Sequence, residues 1–413
     1  MNPTLSPSFV TKLQIFIPFA FGYFLSYLYR VINAVLAPGL TSDLGLEPTG
    51  LGLLTSVYFL TFGAFQLPLG VLLDRFGPRK INAALLLAAA AGAATFARAD
   101  GMTGLTVGRA LIGFGVSACL MASFKAFVMW FPLDQLPRIN GIQMAMGGLG
   151  VLMGTAPVEV ALSVTDWRGV FTVLAFVTLI VAAVIWVVVP ERTIENRDVG
   201  FFDQLHGIRL IFSDYTFWRI APWTALSFGT FMSIQGLWAG PWLRDVAGMA
   251  AMTVAETLMW TAVAMTGGFI ILGAAAERLS RRGFPAMTTA ACGMFVFMAL
   301  LLVIIFEPTR WAVAVMILFG FFGTSGVLPY AVLSQSFPPH LSGRANTALN
   351  LIVFMAAFMI QWGMGAVIGQ WPVSEAGGYS AAGYRAAFSI MLGLQVIFFL
   401  WFVFSGGVRG KGR

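Results

Sequence analysis

Tyr23, Tyr27 and Arg30 follow one another at spacings of four and three residues inside the first long apolar run of the chain. On a helix that spacing puts all three side chains on one face. Arg30 lies about 17 residues into the run, which at ~1.5 Å per residue is somewhat past mid-depth of a membrane. A guanidinium flanked by phenols suits a carboxylate, a phosphate or a similar oxyanion, because its planar fork donates paired hydrogen bonds to two oxygens. The other reading is an arginine satisfied by Glu159 alone, with no ligand. Charge at such depth is costly unless paired or wet, so each deep ionisable residue is a functional candidate.

The deep ionisable residues are read as Arg30, Arg109, Lys125 and Glu159, all in the first half of the chain. Glu159 is the candidate proton carrier: binding and loss of an anion at an arginine nearby would move its proton. Arg109 is its expected electrostatic partner, either in that coupling or as a static pair. Lys125 sits close to Trp130, and the expectation is that it snorkels to the interface. In the second half the candidates are neutral: Gln235, Trp238, Tyr330, Gln335, Asn350 and Gln361. Gln235 and Tyr330 are preferred as substrate contacts, with interhelical hydrogen bonding as the alternative.

These residues need helices to hold them at depth. Apolar residues make up 59% of the chain and charged residues only 10%, which fits an integral membrane protein and not a soluble one. Runs of about 20 apolar residues mark membrane-crossing helices. Six fall between residues 13 and 190 and six between 217 and 405. The expected fold is all-α, with twelve transmembrane helices in two six-helix bundles. Residues 1–190 form the first bundle, 191–216 a cytoplasmic linker and 217–413 the second. The linker ends in Leu205, Ile208 and Phe212, whose spacing allows a surface helix. Lys and Arg concentrate in one set of interhelical gaps, which places both termini in the cytoplasm, and the plasma membrane, a bacterial inner membrane, is the expected location.

The chain also repeats itself. Gly70-Val-Leu-Leu-Asp74-Arg75 recurs as Gly273-Ala-Ala-Ala-Glu277-Arg278, and Phe131-Pro132 with Arg138 and Asn140 recurs as Phe337-Pro338 with Arg344 and Asn346. Two similar units in the same order indicate a duplicated membrane domain, a layout found in secondary transporters.

The stretch from Gly70 through Asp74, Arg75, Gly77, Arg79 and Lys80 resembles the signature of the major facilitator superfamily between its second and third helices. Arg109 with Gly113 and Gly115 resembles its fourth-helix pattern, and Asp166-Trp167-Arg168 the start of its sixth helix. Tyr27-x-x-Arg30, followed by Asn33 and Pro38, resembles the first helix of the organic-anion and sugar-phosphate branches. The resemblance implies that helices one, four, seven and ten line a central cavity. It also implies that the Gly70, Asp74, Arg75, Gly77 and Arg79 loop is a conformational latch. Ser117, Ala118 and Cys119 stand where an organic-anion branch carries a coupling glutamate.

The expected function is transport of a small organic anion by alternating access, coupled to proton symport. A proton-driven exporter of amphiphiles and a transporter-like membrane sensor are the alternatives. An enzyme is not expected, since His206 and His340 fall in loops and no nucleophile–base pair is visible. Neither a cofactor nor a metal is expected, and Cys119 and Cys292 lack metal or disulfide spacing. The expected partners are the anion, protons and the lipid bilayer, with no nucleic acid and a monomeric assembly.

Overall fold

A computed structural model describes residues 8–132, 135–191, 209–306, 309–372 and 378–405. Every regular element among them is helical, a short segment over 209–212 and twelve longer stretches. In the first half α1 comprises Phe9–Val31 and Asn33–Leu44, and α2 comprises Pro48–Ala64 and Gln66–Phe76. Then come α3, Pro78–Ala97; α4, Met102–Trp130; α5, Leu136–Met153 with Ala156–Leu162; and α6, Trp167–Val188. In the second half α7 runs over 215–245, α8 is Ala251–Ser280, α9 Ala286–Ile305, α10 covers 309–336, α11 is Pro339–Ile368 and α12 Ala381–Phe404. The predicted runs agree with these helices to within a few residues, apart from the far end of α1. Residues 192–208, which hold most of the predicted linker, lie outside the described residues. Of its expected surface helix, Phe212 packs on the ring of Phe217 at 5.2 Å.

Ten of the twelve are long and apolar enough to cross a membrane by length and hydropathy alone. The other two are α2 and α7. In α2 the break at Phe65 leaves pieces of 17 and 11 residues. The first part of α7, Tyr215–Ser233, has 19 residues but is too polar to count.

Irregular turns recur along several helices. The α1 ladder turns at Ile32, α4 is interrupted at Ser117 and Ala118, α7 widens to a π-turn over Ile234–Trp238, and α10 tightens to a 3₁₀ turn over Thr324–Val327. Such irregular turns re-aim side chains and are tolerated at membrane depth where protein or water satisfies the backbone.

Within each bundle glycines let backbones touch. A Cβ on Gly113 of α4 would lie 2.4 Å from the Tyr58 carbonyl of α2. In the second bundle a Cβ on Gly320 of α10 would lie 2.5 Å from the Thr261 carbonyl of α8. Thr261 follows Tyr58 by the same offset that relates Gly273 to Gly70, so the duplication extends from loop motifs to packing. The second copy also keeps the turn. Gly77 (φ 85°) ends the loop after α2, and Gly283 (φ 90°) ends the one after α8. Side chains with a Cβ rarely adopt that backbone.

The bundles meet most closely on the face away from the termini. There α1 and α7 touch at Ala34 and Gly240, where a Cβ would come 2.2 Å from the Ala34 carbonyl, and α2 and α11 touch at Pro48 and Gly365. Gln361 of α11 donates to Thr55 of α2 at 2.7 Å, and its carbonyl accepts from Trp238 of α7 at 3.1 Å. Gln361 thus joins the bundles, and Trp238 holds it in place from within its own bundle.

Candidate functional site

Arg30 ends the last full turn of α1 before the break at Ile32. Its guanidinium carbon lies 4.3 Å from the centre of the Tyr27 ring, 5.4 Å from Phe354 and 5.5 Å from Phe62. Phe62 of α2 and Phe354 of α11 are themselves stacked at 4.3 Å, so both bundles wall the same cation. Ring faces attract a cation but cannot neutralise it. Among the described residues no carboxylate lies within ion-pair distance of Arg30, and its Nε is buried without a hydrogen-bond partner. The reading in which Glu159 alone satisfies Arg30 is not what this arrangement shows.

The phenols cluster as their spacing predicts. Tyr23 and Tyr27 meet edge to face at 5.0 Å, and the Tyr23 hydroxyl donates to the Met144 sulfur at 3.3 Å. Gly147 of α5 makes room for both, since a Cβ there would lie 2.6 Å from the Tyr23 ring. Tyr330 of α10 donates to Asn350 at 3.1 Å and lies within electrostatic reach of Tyr27 and Arg30. Arg30, Tyr23, Tyr27 and Tyr330 are thus brought together. Gln235 sits in the α7 π-turn and donates to the Met265 sulfur at 3.1 Å. The π-turn itself touches α1, with a Cβ on Gly236 placed 3.5 Å from the Arg30 carbonyl.

Tyr58, Phe62 and Phe354 are site residues that sequence reasoning missed. Tyr58 donates to the Ser26 carbonyl at 3.0 Å, and its ring lies 5.3 Å from the Arg109 guanidinium. The only signal was an aromatic run in α2, which does not stand out among 38 phenylalanines.

Arg109 is buried and donates to the Tyr29 carbonyl at 3.0 Å, so it secures the end of the first part of α1. Among the described residues no ion pair joins it to Glu159. Glu159 instead lines a cleft toward the face away from the termini, together with Arg244 of α7. Beyond the predicted spans, the second half also holds a buried charge. Asp245 of α7 has a side chain only 1% exposed. It was missed because it lies past the end of the predicted seventh run.

In the loop after α2 the Asp74 side chain lies outside the described residues, and Arg75 is exposed beside the Phe76 ring. The acid that gathers the basic pair is Glu191, just past α6. It bridges Lys80, and Arg79 at 3.6 Å, while Arg79 donates to the Trp186 carbonyl at 2.9 Å. The hydrogen bond and charge of Lys80, then the charge of Arg79, hold the Glu191 carboxyl below its ordinary range. A depressed acid contributes above its unfolded pKa and loses that contribution as pH falls through the folded one. Glu191→Gln should therefore speed amide exchange at the start of α3. The parent should approach the variant only below the ordinary carboxylate range.

Twelve helices in two bundles around an uncompensated arginine can be compared with known families. The sequence pattern of the Major Facilitator Superfamily matches residues 19–360. The chain belongs to that superfamily. Among curated superfamily-like relatives, "Probable sulfoacetate transporter SauU" of Cupriavidus necator is 30% identical over 38% of this chain and 36% of its own length. The "Hexuronate transporter" of Bacillus subtilis is 22% identical over 63% of this chain and 64% of its own. Matches to the first curated relatives span 36% to 43% of their lengths. Among solved structures, a bacterial homologue of the human lysosomal transporter Spinster, inward-facing and occupied, superposes with TM-score 0.79 at 17% identity. That match covers 97% of this chain and 98% of the other. A D-xylose–proton symporter gives 0.67 at 15% identity, over 95% and 98%. These likenesses support the superfamily fold of an integral membrane transporter, not a substrate.

Proposed function

We propose that this protein is a secondary active transporter of a small organic anion, working by alternating access with proton symport. The observation that carries the anion is Arg30, a cation at the junction of the bundles with aromatic walls and, among the described residues, no carboxylate partner. A lone cation of this kind attracts one negative charge, and an oxyanion supplies it by charge-assisted hydrogen bonding. Tyr23, Tyr27 and Tyr330 supply hydroxyls around it, and Gln235 is the contact from α7. Relatives named for sulfoacetate and hexuronate transport support a carboxylate or sulfonate class.

Glu159 carries the coupling proton in this reading, and Arg109 holds the α1 break that positions Arg30. The loop with Gly70, Asp74, Arg75, Gly77 and Arg79 latches one conformation. Residues 191–216 link two bundles of a monomer whose termini face the cytoplasm of the plasma membrane. The test is uptake into proteoliposomes of labelled mono- and dicarboxylates, sugar acids, sulfonates, phosphate esters and a lipophilic cation, with and without an inward proton gradient. Gradient-driven accumulation of an anion supports the proposal. Exchange of the cation alone would sink it.

A further inference from the structure

Away from Arg30, the seam between the bundles holds a small cleft. Ala34 and Pro38 of α1, Glu159 of α5, Gly240 and Arg244 of α7 and Val254 of α8 wall it. Every α1 and α8 residue lining it is uncharged, so Arg244 is the charged group that shares the cleft with Glu159. The two belong to different bundles.

Arg244 is already held, but at one point. Its Nε donates to Asp245 Oδ1 at 2.9 Å. The other Asp245 oxygen accepts from the Tyr379 backbone N–H at 3.0 Å and the Tyr384 hydroxyl at 2.9 Å. Asp245 is thus a buried anchor whose carboxylate is occupied at both oxygens. Arg244, a third exposed, retains its terminal nitrogens. Among the described residues Glu159 has no ion-pair partner. Glu159 is partly exposed in this cleft, and a lone carboxylate over which the apolar seam closes fully must be protonated or paired.

We infer that Arg244 is the alternate partner of Glu159: the seam shuts over protonated Glu159 unaided, and over ionised Glu159 only by an ion pair to Arg244. The arrangement seen here, with Arg244 on Asp245, is the one that suits a protonated Glu159. The pair would let a carrier that has released its proton close this face again, while a half-loaded one stays open. The inference takes from the transporter reading only that the two faces open in turn.

The experiment places a cysteine at Ala255, which lines the cleft. The background is Cys292→Ser, since Cys119 is buried. Labelling by a membrane-impermeant maleimide is compared between variant and parent at about pH 4.5 and about pH 8, on either side of protonation of an ordinary to moderately perturbed glutamate. Taking ratios at each pH cancels the chemistry of the thiol.

Arg244→Gln should label like the parent at acid pH and roughly tenfold faster at alkaline pH, about one decade in the seam equilibrium. Adding Glu159→Gln should remove that difference, and Arg244→Lys should not create it. Arg244→Met with Asp245→Asn leaves no stranded carboxylate at position 245 and should show the same pH dependence, which guards against misfolding of the single variant. A pH-independent ratio in both arginine variants overturns the inference, as does a difference that survives Glu159→Gln. Labelling needs no substrate, so failure here and failure of anion uptake are separate results.

Discussion

Arg30→Gln should abolish saturable anion uptake while leaving a folded protein. The guanidinium has no ion-pair partner among the described residues to strand, so its removal leaves no buried carboxylate behind. It does remove the one charge that offsets the ligand. Losing charge-assisted hydrogen bonds costs about 1.5–3 kcal/mol each, and two such bonds correspond to roughly two to four decades in affinity. Arg30→Lys should recover only part of this, because an ammonium keeps the charge and loses the two-pronged geometry. Direct binding by calorimetry on the detergent-solubilised protein separates lost affinity from lost turnover. Binding by Arg30→Gln within threefold of the parent would remove Arg30 from the site.

The second large effect is expected at Gly240. A methyl there would come 2.2 Å from the Ala34 carbonyl, across the boundary between the bundles. Neither atom is the end of a flexible side chain, so the helices must part. Overpacking of this kind costs about 1–3 kcal/mol. In the alternating-access reading the contact exists only while this face is shut, so the cost falls on one conformation and not on both. Gly240→Ala should shift the population toward opening on the face away from the termini by about one to two decades, with little loss of thermal stability. Gly150→Ala is the contrast. Its Cβ would meet the Phe24 carbonyl at 2.2 Å inside a single bundle, so the strain persists in every conformation and should lower Tm. Spin-label distances across the seam and a melting curve for each variant check both statements. Equal losses of Tm would show that the Gly240 contact is not conformation-specific.

The twelve helices were legible because hydropathy adds up over about 20 residues, and the duplication because loop motifs recur at a near-constant offset. The breaks at Ile32 and Ile234–Trp238 were not, since one irregular turn barely changes such a sum. Within the site, Tyr23, Tyr27 and Arg30 could be grouped because they share one helix. Phe62 and Phe354 could not, because their stacking joins α2 to α11 and no local periodicity reports it. Glu159 was recognised as a deep acid, but its neighbourhood was misjudged. Depth along two helices says nothing about which faces they turn to each other, and the structure turns Glu159 toward α7.

The character of α7 bears on how the protein is made. Its first part is too polar to count as a span, and a π-turn separates it from Ala239–Asp245. Insertion into a bilayer by the biosynthetic machinery is graded by segment hydrophobicity, and Arg219 weighs against it here. This helix therefore depends on company to enter lipid. Its contacts with α11 and α12, through Ser233 to the Ala357 carbonyl and Tyr215 to the Ser405 carbonyl, form only after those later segments have been synthesised. A ribosome-bound chain that stops before α11 should leave α7 accessible to protease or glycosylation on the wrong side, and release of the full chain should draw it in. That outcome would mean a second bundle assembled out of translational order, with its opening helix among the last to settle.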